Sequence, residues 1–200
     1  TLLHGTHKSL GEWLRAMWWI STQKTGGSAK GLQRQLGFGS YQTAWAWLHK
    51  LKRGMVRNGR DVLVGPVEVD EAFIGGKELG VYGRESESKS RIVVAVEIKG
   101  PSRKANGRIR LQRVPDCSAA SLIPFVAANV TAGSTVVTDG CSGYVPLKAL
   151  GFTHEVRVAR RRKKTDEDLL PNAHRTISLV KRWLLGTHHG AVSGKHLQFY

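Results

Sequence analysis

The feature that most constrains the fold is the order of β-type and helical segments after residue 60. Three β-type runs come first, and then helix, strand, helix, strand and helix follow. The runs are rich in β-branched residues and are separated by turn residues such as Gly75-Gly76 and Gly100-Pro101. The predicted strands cover 62–64 with 67–74, 91–98, 108–114, 134–138 and 152–158, and the predicted helices cover 118–130, with Ser118 as cap, 143–150 and 171–185.

This order is that of the RNase H-like fold, an α/β fold with a mixed sheet and flanking helices. In that fold the first strand is central and the fourth lies beside it. Carboxylates on these two strands therefore meet at one edge of the sheet. We predict an RNase H-like catalytic domain over 61–200 and a small helical domain over 1–60.

The segment 1–60 is helical in pattern and strongly basic, with Glu12 as its one acidic residue. After a first helix that breaks near Thr25, the pattern predicts helices over 29–36 and 41–55, capped by Ser28 and Ser40. Two helices joined by a short glycine-containing turn fit a helix-turn-helix motif. A plain helical hairpin has the same outline and stays an alternative.

If this segment binds DNA, the helix 41–55 is the recognition helix. Its first turn would face base edges, and nearby basic side chains would hold phosphates. Trp45, Trp47 and Leu48 are predicted to be core residues, because they lie mid-helix among apolar partners. The predicted DNA-binding residues of this segment are Arg34, Tyr41, Gln42, Thr43, Lys50, Lys52 and Arg53.

The charge of the chain points to a polyanionic partner. Lysine and arginine outnumber aspartate and glutamate by 31 to 15, which gives a net charge of +16 at pH 7. No apolar run approaches the roughly 18 residues that span a bilayer, so we expect double-stranded DNA and no membrane. A basic run fits DNA phosphates or, alternatively, a solvated linker; its charged residues are Arg160, Arg161, Arg162, Lys163 and Lys164.

Asp70, Asp139 and His174 are the candidate metal ligands. Asp70 lies inside a strand pattern, where aspartate is unfavourable unless it is paired or bound to metal. Alternation puts Glu68 on the same face as Asp70 and Glu71 on the other face. Two divalent ions about 3.5–4 Å apart, held by such ligands, can support phosphodiester cleavage. Taken singly, each of the three candidates also fits an ordinary turn or structural position.

Lys181 follows His174 by seven residues in the last predicted helix and therefore lies on nearly the same face. We expect Lys181 to point at a DNA phosphate, and Arg182 to contact DNA or, like Arg175, to belong to a solvated basic face. The two cysteines, Cys117 and Cys141, form no CxxC pair and no metal-ligand spacing. They are predicted to be reduced, buried thiols of a cytosolic protein.

Three segments, 69–76, 136–144 and 174–190, resemble bacterial insertion-sequence transposases related to the Merlin elements. The resemblance implies a DDE-type core that uses Mg²⁺ to cut terminal inverted repeats and to join them to target DNA. Asp70 and Asp139 would be its acidic ligands, His174 would take the third position in place of glutamate, and Lys181 would be the associated lysine. Because histidine prefers borderline ions, Mn²⁺ is a possible substitute. The resemblance also implies a homo-oligomer in the DNA complex.

The sequence therefore predicts a transposase that is cytoplasmic and associated with the nucleoid. The alternatives are a non-catalytic sequence-specific DNA-binding protein or inactive transposase fragment, and a structure-specific nuclease on the same fold. The absence of an initial methionine and of a cysteine-rich ribbon before the helical segment leads us to expect a piece of a longer protein.

Overall fold

The computed structural model describes residues 3–56, 59–75, 89–100, 105–158, 168–188, 192 and 197. The chain divides into two compact units: a helical unit, Thr1–Arg60 with Lys181–Tyr200, and a sheet unit, Asp61–Val180. The second boundary falls within the last helix. The predicted domains 1–60 and 61–200 stay a prediction.

The helical unit contains α1 (Leu10–Thr22), α2 (Ala29–Leu36) and α3 (Tyr41–Met55). As predicted, Ser28 caps α2, since its hydroxyl accepts a hydrogen bond from the Gly31 N–H at 3.0 Å. Ser40 precedes α3 but makes no side-chain capping bond, and its hydroxyl donates to the side chain of Gln42. A short turn joins α2 and α3, an outline that a helix-turn-helix motif and a plain helical hairpin share, so the helix-turn-helix motif stays a prediction.

Indole rings form the centre of the helical unit. Trp13 of α1 stacks on Trp47 of α3 with ring centroids 3.5 Å apart, and Phe38 meets Trp47 edge-on. Trp47 and Leu48 are buried as predicted, but Trp45 is 47% exposed and lies against His49. The core prediction was wrong for Trp45 because the buried face of α3 follows Ala44, Leu48 and Leu51, and Trp45 lies off that face.

The sheet unit is built on one mixed five-stranded sheet of order β3-β2-β1-β4-β5. β1 pairs antiparallel with β2 and β2 with β3, whereas β4 is parallel to β1 and β5 is parallel to β4. This is the topology of the RNase H-like fold, and the predicted fold class is confirmed. The strands are β1 (Val67–Ile74), β2 (Ser90–Lys99), β3 (Ala105–Val114), β4 (Thr135–Thr138) and β5 (Thr153–Val156).

Helices flank this sheet. They are α4 (Ala119–Asn129), a 3₁₀ helix (Ser142–Leu150) and α5 (Pro171–His188). Ser118 precedes α4 without a side-chain capping bond, and its hydroxyl donates to Asp116. The predicted strand at 62–64 is reduced to a single bridge between Leu63 and Val130. No helix in the described ranges is long and apolar enough to cross a membrane.

Candidate active site

The pairing of β1 with β4 fixes the positions of the two candidate aspartates. Val67 pairs with Val136 and Glu68 with Val137 in parallel register. Asp70 and Asp139 each lie two residues beyond this last pair, so both are at the same end of neighbouring parallel strands. Among the described residues, the ligand atoms of Asp70, Asp139 and His174 do not all lie within 4.8 Å of one another. β4 ends at Thr138, so Asp139 is the first residue after the strand, at the carboxyl end where sites of α/β proteins form.

Both aspartates belong to the side of the sheet that α5 covers. Val137 packs against Leu170 and Ala173, at the start of α5. Asp139 follows Val137 by two residues, so strand alternation gives it the same side. Asp70 contacts His174 of α5 directly. The prediction that Glu68 and Asp70 share a face, with Glu71 opposite, agrees with the contacts of all three side chains.

Local backbone bonds orient the two carboxylates. Oδ1 of Asp70 accepts from the Glu71 N–H at 2.9 Å, and Oδ1 of Asp139 accepts from the Cys141 N–H at 3.0 Å. Gly140, between Asp139 and Cys141, has φ of +87°, a conformation that other residues rarely adopt. A Cβ there would also lie 2.9 Å from a methyl carbon of Val156. Glycine therefore lets the chain turn immediately after Asp139.

A buried glutamate attaches the start of α5 to the sheet. Oε2 of Glu68 accepts from the N–H groups of Asn172 and Ala173 at 2.7 and 2.9 Å, and Oε1 accepts from Asn172 Nδ2 at 2.9 Å. The first N–H groups of a helix have no partner within it, and a carboxylate also complements the helix dipole there. Glu68 thereby fixes the turn of α5 that carries His174.

His174 lies between two carboxylates. Its Nε2 is 3.3 Å from Oδ2 of Asp70, and its Nδ1 is 2.5 Å from Oδ1 of Asp168. The hydrogen bond to Asp70, opposed by partial burial and supported by the charge of Asp168, raises the pKa of His174 to about 9. The ring is therefore an imidazolium at pH 7. A metal ion bound through Nε2 requires the neutral ring, so an ion and this proton compete for His174.

Sequence reasoning did not include Asp168 among the candidate site residues. Besides contacting His174, Asp168 accepts from the Leu170 N–H at 3.3 Å through Oδ1. An aspartate three residues before the proline that begins α5 is a common helix-start signal, and that signal was available. Asp168 contacts Nδ1, the ring nitrogen that does not face Asp70, and so orients the imidazole.

The donor set at this edge fits a hard divalent cation. Two carboxylates on neighbouring parallel strands offer the oxygen ligands that Mg²⁺ prefers, and Asp70 is only 12% exposed at its side chain. The imidazole of His174 suits borderline ions such as Mn²⁺ better. Asp70, Asp139 and His174 thus stay the predicted metal ligands.

The predicted DNA-binding residues of the helical unit are mostly on its surface. Thr43 is half-buried, and the exposed members are Arg34, Tyr41, Gln42, Lys50 and Arg53. Lys181 and Arg182 are also exposed, in the part of α5 that belongs to the helical unit. The run Arg160 to Lys164 lies outside the described residues.

Lys52 differs from the prediction. Its side chain is only 8% exposed, its Nζ lies 4.8 Å from the ring centroid of Trp183, and burial lowers its pKa to about 8. Spacing explains the difference, because Lys52 follows Ala44 and Leu48 in steps of four and lies on the buried face of α3. Lys52 is therefore not carried into the proposed phosphate contacts.

A second group of possible ligands lies on the other face of β1. The carboxylate of Glu71 and the thiols of Cys117 and Cys141 all lie within 4.8 Å of one another, and we call this group the thiolate site. Cys117 and Cys141 are thiols and not disulfide-bonded, as predicted, but they are half-buried and not fully buried. Their spacing in sequence gave no signal, because β1, the start of α4 and the end of β4 meet only in the fold.

Comparison with known proteins gives one family match. The model of a family described as "ISXO2-like transposase domain" matches residues 62–200. A comparison with curated proteins finds no match.

Two solved structures are distantly similar. "Crystal structure of a pre-cleavage Mos1 transpososome" has 15% identity and a TM-score of 0.38, covering 98% of this chain and 71% of that one. "Mos1 transposase paired-end complex with left transposon end" has 13% identity and a TM-score of 0.29, covering 95% and 82%.

Proposed function

The chain belongs to the ISXO2-like transposase domain family, and from that premise we propose that it cleaves the terminal inverted repeats of an insertion sequence and joins them to target DNA by metal-dependent phosphoryl transfer. Asp70, Asp139 and His174 are the proposed catalytic and metal-binding residues. Mg²⁺ is the proposed cofactor, with Mn²⁺ as a substitute.

The observation that supports this proposal is the parallel register of β1 and β4, because Asp70 and Asp139 follow its last pair by two residues at the same end of the two strands, where α5 begins against Val137. His174 of α5 then contacts Asp70 at 3.3 Å. Three residues distant in sequence thus come to one edge of the sheet. Glu68 and Asp168, which hold α5 and the imidazole, give this edge a fixed geometry.

Each residue has a separate task in the proposed reaction. Asp70 and Asp139 would bind the cation through oriented carboxylates, and His174 would either join them as a ligand or hold its proton near Asp70. The bound cation supplies activation of the attacking oxygen and stabilisation of the leaving oxygen. Lys181, two turns along α5 from His174, would bind a phosphate of the DNA. The proposed partner is double-stranded DNA, held by a homo-oligomer, in the cytoplasm and near the nucleoid.

The deciding experiment follows labelled duplexes that carry candidate element ends, with Mg²⁺, with Mn²⁺ and with chelator. The proposal expects cation-dependent cleavage and joining of the element ends and no reaction of a scrambled duplex. Binding of the element ends without chemistry would favour the non-catalytic alternative. Cleavage of branched DNA regardless of its end sequence would favour the structure-specific nuclease.

The two neighbouring lysines of α3 give a matched test of DNA binding by the helical unit. Each phosphate contact contributes about one unit to the slope of log affinity against log salt concentration. We expect Lys50→Gln to reduce this slope by about 1. Lys52→Met should leave the slope unchanged, because Lys52 is buried against Trp183.

The measurement is a salt titration of duplex binding by fluorescence anisotropy for both variants and the unmodified chain. A loss of slope in Lys52→Met as large as in Lys50→Gln would reject this assignment. A slope unchanged in both variants would exclude Lys50 from the DNA contact.

A further inference from the structure

We propose that Glu71, Cys117 and Cys141 form a binding site for a soft divalent cation, of which Zn²⁺ is the natural occupant. The site would be separate from the Asp70–Asp139 edge and would have a structural role. This inference concerns the other face of β1 and does not depend on the proposed DNA chemistry.

The three ligand types suit such a cation. Thiolate sulfur prefers zinc-like ions to Mg²⁺, and one carboxylate oxygen can complete the protein's share of the site. In a tetrahedral zinc site with Zn–S distances of about 2.3 Å, ligand atoms are separated by roughly 3.8 Å. The observed atoms all lie within 4.8 Å of one another. Side-chain rotations that shift these atoms by at most about 1 Å would therefore bring all three within bonding distance of a common ion.

The carboxylate is already fixed in place. Tyr144, which is fully buried, donates a hydrogen bond from its hydroxyl to Oε1 of Glu71. Burial and the nearby charge of Glu71 raise the pKa of Tyr144, so its phenol keeps its proton and acts as a donor. A hydrogen bond of this kind orients a carboxylate whose second oxygen binds metal. Tyr144 is thus a positioning residue of the proposed site.

Backbone packing holds the two thiols together. A Cβ on Gly143 would lie 2.2 Å from the carbonyl oxygen of Cys117 and 2.9 Å from Leu122, so only glycine allows this approach. The thiol of Cys141 points at the same carbonyl at 3.8 Å. Both cysteines also pack against the main apolar cluster of the sheet unit. Packing therefore restricts water there and favours thiolate–metal bonds.

The position of the site gives it a consequence for the sheet edge. Glu71 follows Asp70 directly, and the N–H of Cys141 donates to Asp139. A cation bound by Glu71, Cys117 and Cys141 would join β1, the turn after β4 and the segment before α4 from behind. It would thereby restrain the two aspartates without touching them.

The test adds Co²⁺ to the reduced, chelator-treated full chain and records its absorption spectrum. Two thiolate ligands should give intense sulfur-to-cobalt charge transfer at one equivalent, and Zn²⁺ should remove it. We expect the single variants Cys117→Ser and Cys141→Ser to lose about half of this absorption or all of it. Asp139→Asn is the matched control, since it removes an oxygen ligand of the other edge, and it should keep the full spectrum.

A second readout is the melting temperature. Zn²⁺ should raise Tm in the unmodified chain and in Asp139→Asn, but not in Cys141→Ser. The proposal is overturned if the reduced, unmodified chain shows no sulfur-to-cobalt absorption, whatever the variants do. A thiol titration before reduction shows whether Cys117 and Cys141 have oxidised to a disulfide, which would block metal binding. If the chain still fails to bind Co²⁺ after reduction, the proposal is overturned as well.

Discussion

Asp70→Asn is expected to abolish cation-dependent cleavage and joining of element ends, with a rate loss on the order of 10³-fold or more. Asparagine keeps the size of the side chain but removes one of the negative charges with which the proposed site would bind the cation. The cation contributes several kcal/mol to stabilising charge in the transition state, and about 4 kcal/mol corresponds to 10³ in rate. The measurement is the single-turnover rate of strand joining in Mg²⁺.

A matched control separates loss of chemistry from loss of structure. Asp61→Asn removes the same charge in the same unit, but the side chain of Asp61 is 78% exposed and its ion pair with Arg108 is 3.7 Å long. This variant should join DNA at nearly the unmodified rate. Asp70→Asn should also keep its affinity for the element ends. A rate for Asp70→Asn above about a tenth of the unmodified rate would remove Asp70 from the catalytic set.

The fold was predictable because its signals are local. The strand 67–74 was predicted with the bounds that β1 shows, since alternation and Gly75 mark them within ten residues. The register that joins Asp70 to Asp139 is not local, but it follows once the strand order of the fold is assigned. The predicted caps at Ser40 and Ser118 were wrong for a different reason. Residue type does not reveal whether a serine directs its oxygen at the first helix N–H groups: Ser9 does so and forms a capping box, whereas Ser40 and Ser118 make no side-chain capping bond.

The errors at the candidate sites come from long-range packing. Lys52 is buried against Trp183, which is far along the chain, although its spacing on α3 already placed it on the buried face. Cys117 and Cys141 approach each other only because Gly143 allows the Cys141 turn to touch the Cys117 carbonyl. No spacing rule covers such a contact. Asp168 was accessible as a helix-start residue, but its contact with His174 required the structure.

The second large effect is expected at Glu68, where Glu68→Ala should lower the free energy of unfolding by about 3–5 kcal/mol. The side chain is 0% exposed and accepts three hydrogen bonds from the start of α5. Alanine would leave the N–H groups of Asn172 and Ala173 buried without an acceptor and would open a cavity. Glu68→Gln should lower the free energy of unfolding by less than Glu68→Ala does. Its amide oxygen can still accept from one N–H, but its amide nitrogen is a donor and faces the other N–H.

Denaturant unfolding measures this effect as a lower midpoint. Glu155→Ala is the control, since Glu155 is partly exposed and forms an ion pair with Arg157 at 2.8 Å; it should cost less than about 1 kcal/mol. The two large effects then differ in kind: Asp70→Asn should lose chemistry and only the part of the stability that its contact with His174 contributes, whereas Glu68→Ala should lose stability first. If Glu68→Ala unfolds within about 1 kcal/mol of the unmodified chain, Glu68 does not hold α5, and His174 owes its position to Asp70 and Asp168 instead.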